Sequence, residues 1–224
     1  MKGNTHLRKR RNPYEKSART RENFLRAAEA LFIEKGYDGV SVNDIAIAAG
    51  TTKGHIYYYF RDKRQLFDSV LEEYFSRHAG AIMKALDLKG DLRGRIHAVV
   101  DAYLDFIDEN PGFPRLLQRE VCSRSPHVAS IVRGLEPLYE WGNAVLRDYL
   151  PQEGHLSARH FFVDMMAMCL NYYTYSPVLE GLWGYDPMGA RALSERREHV
   201  HAVLDVMIDG FLKGEEAKES EVRQ

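Results

Sequence analysis

Cysteine is nearly missing from this 224-residue chain: Cys122 and Cys169 are the whole complement, far apart and without a CxxC spacing. That scarcity excludes a disulfide framework or a thiolate zinc site as the basis of the fold and suits a reducing cytosol. Long apolar runs are missing too. The most apolar, FFVDMMAMCL at 161–170, falls well short of the ~20 residues a bilayer span needs, and charges stand where a secretory signal would place its apolar region. A cytoplasmic chain with no membrane partner is expected. No strand-like alternation persists and no fixed period recurs, so neither a β-architecture nor a repeat array fits. Enzyme signatures are absent as well: no Walker loop, no HExxH and no GxSxG. The close pair His199 and His201 sits two positions apart, which on a helix splays the rings by about 200°. No catalytic residue, metal or cofactor is expected.

What the chain does have is uneven charge. Its formal net charge is −1, which taken whole argues against a polyanion partner. Yet up to Arg64 there are 14 Lys and Arg against 7 Asp and Glu, leaving 17 against 25 for the remainder of the totals of 31 and 32. A basic segment joined to an acidic body is the distribution expected when only one end meets nucleic acid.

Helical periodicity fills the rest. In SARTRENFLRAAEALFIEKG, Phe24, Ala28, Leu31 and Phe32 recur at one-face spacing and Gly36 supplies a C-cap. Ser41 with Asp44 three residues on is a capping box opening a helix of about two turns, closed by Gly50. Thr52 caps a third short helix through about Tyr58, and Asp62 with Gln65 repeats the capping spacing before a long helix. Further helices are predicted at about 91–108, 113–122, 126–149, 157–176 and 195–213, punctuated by Pro111, Pro126, Pro151 and Pro177. The fold class is all-α. The predicted organisation is a flexible basic arm at 1–16, a helix-turn-helix domain at 17–63, a helical domain at 64–213 and a disordered tail at 214–224.

Two short helices joined by a tight glycine turn are the sequence form of a helix-turn-helix. Three consecutive tyrosines, Tyr57, Tyr58 and Tyr59, cannot all face one core, because helix neighbours point about 100° apart. With Ile56 directed inward, Lys53, Gly54, His55, Tyr57 and Tyr59 are left for DNA, where tyrosine hydroxyls bond phosphates. Taken alone, Tyr57 and Tyr58 also suit packing against the first and fourth helices.

Residues 20–71, TRENFLRAAEALFIEKGYDGVSVNDIAIAAGTTKGHIYYYFRDKRQLFDSVL, resemble the DNA-binding domain of the tetracycline-repressor (TetR) family of transcriptional regulators. The likeness rests on EKGYDGVSV, DIAxAAG, KGxIYYYF and FxxKxxL in order. It implies that Thr51, Thr52, Lys53, Gly54, His55, Tyr57, Tyr58 and Tyr59 form the recognition element, that Lys63 contacts phosphate and that Ser41 touches the DNA backbone. His55 departs from the family's usual small residue, and Ile47 from a position often charged. The arm with Arg8, Lys9, Arg10 and Arg11 is suited to an adjacent minor groove.

The resemblance further implies that the acidic body encloses a small-molecule effector and builds a homodimer. Met165, Met166, Met168, Cys169, Tyr172 and Tyr173 crowd one helix and suit an adaptable apolar cavity as well as ordinary core. The effector set expected is Arg119, Asp164, Met165, Met168, Tyr172 and Tyr173, with the two charges as polar anchors. The dimer pair is expected to be the helices at about 157–176 and 195–213, with Val203, Val206, Met207, Ile208, Phe211 and Leu212 as the apolar seam. The implied function is a repressor of double-stranded palindromic operator DNA, released by a small apolar or aromatic effector. The alternatives are a DNA-binding or interaction protein without an effector and, against the motif search, an enzyme.

Overall fold

A computed structural model describes residues 13–86 and 90–222. Among these are nine helices and no strand: α1 (Pro13–Lys35), α2 (Val42–Ala48), α3 (Lys53–Tyr59), α4 (Lys63–Leu86), α5 (Leu92–Glu109), α6 (Gly112–Cys122), α7 (Val128–Leu146), α8 (Ala158–Trp183) and α9 (Ala190–Val222). The all-α class read from the sequence is the one observed. No described helix is long and apolar enough to cross a membrane. The chain divides into two compact units, Met1–Val70 and Leu71–Gln224, so the first unit keeps the opening turns of α4 instead of ending at residue 63.

The first unit is shaped by its caps. Ser41 Oγ accepts from the Asp44 backbone N–H at 3.2 Å while the Ser41 N–H donates to Asp44 Oδ2 at 2.8 Å, the reciprocal bonding the Ser-x-x-Asp spacing predicts. That hydrogen bonding with Ser41 holds the Asp44 carboxyl below its ordinary range. Thr52 Oγ1 accepts from the His55 N–H at 3.3 Å and starts α3. At α4, Asp62 Oδ1 accepts from the Gln65 N–H at 2.7 Å, while Gln65 Oε1 reaches back to the Arg61 N–H at 2.6 Å. Gly50 closes the turn after α2 at φ +63, a left-handed conformation that favours glycine. Phe24, Ala28, Phe32, Ile45, Ile56, Phe60, Leu66 and Phe67 are buried here.

Helix α1 begins earlier than the expected residue 17, because Pro13 fixes φ for a first helical turn and Glu15 lies where the helix dipole favours an acid. The basic cluster Arg8–Arg11 lies outside the described residues. In the second unit, α8 runs past Pro177, where the sequence reading ended it. Proline removes the N–H that would bond the Tyr173 carbonyl, and the Ser176 hydroxyl donates to that oxygen instead at 3.0 Å. The helix stops at Gly184, in the left-handed conformation at φ 72, whose N–H caps Glu180 O. Helix α9 likewise extends through Val222, so the tail expected to be disordered from 214 has a helical backbone up to that residue.

An aromatic cluster centres the second unit. Phe113 stacks on Tyr74 at 4.5 Å and meets the edges of Phe75 and Phe106 at 5.6 and 5.7 Å. Buried His78 packs beside it, 4.7 Å from Tyr103 and 5.1 Å from Phe106. Burial penalises its cation and lowers its pKa to about 4. The unfolded chain protonates this histidine near pH ~6.5, whereas the folded chain resists until about pH 4. Between those values the unfolded state binds a proton that the folded state lacks, so stability falls as pH falls, by about 3 kcal/mol in all. His78→Leu is expected to remove this acid limb, read as urea midpoint against pH. An unchanged limb would show that other groups carry it.

Candidate nucleic-acid interface and ligand cavity

Helix α3 sorts its residues by face. Ile56 is 1% exposed and Tyr58 81% exposed, two positions apart on opposite sides of the helix. Tyr57 is also exposed, with the Lys53 ammonium 5.6 Å above its ring. Tyr59 turns back instead: its ring meets Phe24 edge-on at 5.5 Å and its hydroxyl oxygen accepts from Ser17 Oγ at 3.2 Å. The row of tyrosines therefore comprises two outward rings and one that braces α1. His55 stands between these roles. Its ring lies 5.3 Å from Phe24, and Thr51 Oγ1 is 2.9 Å from its Nδ1. A Cβ on Gly54 would meet nothing within 4 Å, which leaves the outer surface of α3 bare at that point.

Lys16 and Arg19 of α1 share an open groove with Glu15, Thr51 and His55. The sequence reading missed both, because charge on an exposed helix face carries no periodic signal. Lys63 has a different setting from the one the resemblance implied. Its ammonium donates to Tyr37 O at 2.9 Å and Val40 O at 3.1 Å and lies 4.1 Å from the centre of the Tyr37 ring. It fastens the loop that leads into Ser41, with most of its donor capacity used inside the fold. Ser41, similarly, commits its side chain to the α2 cap. Lys63→Met is expected to lower stability by roughly 1.5–3 kcal/mol, the range for hydrogen bonds from a charged donor, seen as a shifted denaturation midpoint. Unchanged stability with a salt slope for DNA binding smaller by about 0.9 would give Lys63 a phosphate contact alone.

The second unit contains an apolar cavity of about 70 Å³ between α5, α7 and α8. Val99 and Tyr103 line it from α5, Trp141 and Gly142 from α7, and Phe162 and Met165 from α8, joined by Met166 and Cys169. Among its described lining residues there is no Asp, Glu, Lys or Arg. The Tyr103 hydroxyl reaches Met166 Sδ at 3.8 Å, and burial raises its pKa well above the ordinary value. Burial likewise pushes the Cys169 thiol up to about 12, which makes it an inert wall.

Of the six expected effector residues only Met165 lines this cavity. Position along and around the helix explains the rest: 158, 161, 162, 165, 166 and 169 form one stripe of α8; Met168 lies off its edge, and Tyr172 and Tyr173 continue the same face beyond the cavity. The Tyr172 hydroxyl donates to Pro187 O at 2.7 Å, and that of Tyr173 to Asp108. Arg196, buried, lies over both of these rings and donates to Met168 O and Cys169 O at 2.9 and 2.8 Å. These residues fasten α8 to its neighbours. Asp164 and Arg119 are exposed, so neither is placed as a polar anchor. The walls from α5 and α7 were legible only as amphipathic helices, with no sign of which apolar residue faces a void.

On α9, Ile208 is fully buried within the chain and belongs to the core rather than to an outer seam. Val203 and Met207 are half-buried, and the side chain of Phe211 lies outside the described residues. Val206 is a large apolar residue exposed on that helix. On α8, Val163, Tyr175, Val178 and Leu182 are exposed. Among the described residues no group of three or more His, Cys, Asp or Glu is placed to hold a metal.

Residues 24–70 match the family described as bacterial regulatory proteins, tetR family. The HTH-type transcriptional activator FasR of Mycolicibacterium smegmatis is 31% identical over 113 residues, 50% of this chain and 52% of that protein. The HTH-type transcriptional repressor NicS of Pseudomonas putida is 28% identical over 171 residues, 70% of this chain and 77% of that protein. The chain thus spans about half the length of the first relative and about three quarters of the second. The structure of the ketosteroid transcriptional regulator KstR2 of Mycobacterium tuberculosis is similar with a TM-score of 0.63 at 18% identity, covering 85% of this chain and 93% of that one. That is a likeness of fold.

Proposed function

Because the chain belongs to the tetR family of bacterial regulatory proteins, we propose that it is a transcriptional regulator binding double-stranded operator DNA as a homodimer, and a repressor released by an uncharged apolar or aromatic effector. The observation that carries the DNA reading is the outer face of α3, where Lys53, Tyr57 and Tyr58 are exposed while Ile56 anchors the helix. An exposed tyrosine pair beside a lysine on a two-turn helix suits entry into a major groove, with hydroxyls and ammonium on phosphates and ring edges against bases. Lys16 and Arg19 extend the cationic surface.

The exposed apolar residues of α8 and Val206 support a two-fold contact, since apolar side chains left exposed within one chain can be covered by a second copy. The uncharged cavity supports an effector without formal charge, because burying an unpaired ion there would be costly. Its volume holds a few waters, whereas sites for drug-sized ligands run ~300–1,000 Å³. An effector would have to spread the walls, and Met165 and Met166 are the adaptable ones. Ligand binding then favours an expanded arrangement, and that differential affinity is what shifts an equilibrium. FasR is named an activator and NicS a repressor; release by effector is the reading favoured here. The test is operator binding by fluorescence anisotropy across salt concentrations, with and without neutral aromatic and aliphatic compounds. A steep salt dependence and weakening by such a compound are expected. Binding indifferent to salt, or weakened only by charged compounds, would contradict the proposal.

A further inference from the structure

A second void adjoins the cavity. It is an open groove of about 380 Å³ between α6, α7 and α8, walled by Leu117 and Val121, by Ile131 and Leu135, and by Leu170. Phe162 and Met166 line the groove and the cavity alike, so these two side chains form a partition between the voids. Both are half-buried. Phe162 meets the Tyr139 ring edge-on at 5.2 Å. Met166 accepts from the Tyr103 hydroxyl at 3.8 Å, a weak bond because a thioether sulfur is a poor acceptor. An unbranched methionine with three rotatable bonds can swing aside at little cost.

The chemistry of the groove matches that of the cavity, with one addition. Among its described lining residues there is no Asp, Glu, Lys or Arg, and Val121 and Val163 leave apolar surface exposed. Burying that surface under an apolar ligand would be favourable. The addition is Gln118, which lines the groove and whose Oε1 is buried with no hydrogen-bond partner among the described residues. An amide oxygen only accepts, so a group that satisfies it has to bring an O–H or N–H. The shape is elongated: Phe162, Met166 and Leu170 recur four apart, which spreads them over about 12 Å of α8. Joined, the two voids fall within the ~300–1,000 Å³ of common ligand sites, which the cavity alone does not reach.

We propose that cavity and groove are the inner and outer halves of one site for an elongated uncharged amphiphile. Its chain enters past Phe162 and Met166 into the cavity, and its hydroxyl or amide N–H donates to Gln118 in the groove. This rests on the reading of the cavity as the effector site and adds to it the entrance, the ligand's length and its single polar end.

The test uses straight-chain 1-alkanols from butanol to decanol on the full chain without DNA, with affinity measured by calorimetry. Groove occupancy is read separately as the rate at which iodoacetamide alkylates Cys122, the exposed thiol that lines the groove; Cys169 is buried and silent. Affinity is expected to rise by about two- to fourfold per methylene, the range for partly to fully buried CH₂ groups. Saturating decanol should slow alkylation of Cys122 by about tenfold, whereas butanol, short enough for the cavity, should leave it unchanged. Ala167→Trp places a ring from an exposed groove position into the outer half. It is expected to weaken decanol by about tenfold or more and to spare butanol. Gln118→Leu should weaken decanol about fivefold, the value of one hydrogen bond, and leave decyl methyl ether, which has no donor, unchanged. Decanol that binds while Cys122 stays fully reactive would overturn the two-part site and leave an effector cavity standing. A Cys122 already unreactive without ligand would overturn it too, by showing the groove covered by a second copy. Decanol binding as described with operator affinity unaltered would uphold the site and contradict the effector reading alone.

Discussion

Gly142→Val is expected to abolish effector release while leaving operator affinity without effector within twofold of the parent. Gly142 lines the cavity from α7, and a Cβ added there meets nothing within 4 Å. Valine's Cβ has room there and its two further carbons are expected to take up part of the void, so stability is expected to hold or rise slightly because glycine is a poor interior helix residue. Allosteric release of about 5–150-fold in the parent is expected to shrink to less than twofold. The matched contrast is Gly134→Ala on the same helix, where the new Cβ would lie 2.2 Å from a Phe75 ring carbon. Overpacking there is expected to cost about 1–3 kcal/mol. Titrating operator binding with a releasing compound checks the first variant and thermal unfolding the second. Full release by Gly142→Val would place the effector elsewhere, with the open groove of α6, α7 and α8 around Leu117, Val163 and Leu170 next in line.

On α3, Ile56→Ala and Tyr58→Ala are expected to lose operator binding for opposite reasons. Ile56 is the buried residue of α3 in a small unit, and truncation of such a residue costs about 2–5 kcal/mol, enough to unfold that unit at moderate temperature. Tyr58, exposed with its ring edge-on to Tyr59 at 5.2 Å, should change stability by no more than about 1 kcal/mol. Loss of its hydroxyl and ring from a phosphate or base edge should still weaken binding by about tenfold. Circular dichroism melts alongside anisotropy separate the two. A Tyr58→Ala protein that binds DNA as tightly as the parent would remove the outer face of α3 from the interface.

Local chemistry was the legible part of this chain. The Ser41–Asp44 box, the Thr52 cap and the glycine stops at Gly36 and Gly50 bind within four or five residues, and the structure places each where its spacing requires. What depends on distant partners was not legible. The Lys63 ammonium looks free until the Tyr37 and Val40 carbonyls arrive beneath it. Proline at 177 reads as a stop, and only the neighbouring Ser176 hydroxyl shows why α8 continues. Met168 and Tyr172 resemble their cavity-lining neighbours in kind, and differ in position: Met168 is turned off the lining face, and Tyr172 lies one turn beyond the cavity's end.

Selection of the purified full-length protein against random double-stranded DNA bears most directly on the claim that this chain reads an operator through paired α3 helices. The expected product is an inverted repeat with half-site centres about 34–36 Å apart or somewhat more, retained by a dimer and lost when Lys53 and Tyr58 are both replaced by alanine. Failure to enrich any sequence, or enrichment of one unpaired half-site equally well by that double variant, would contradict it.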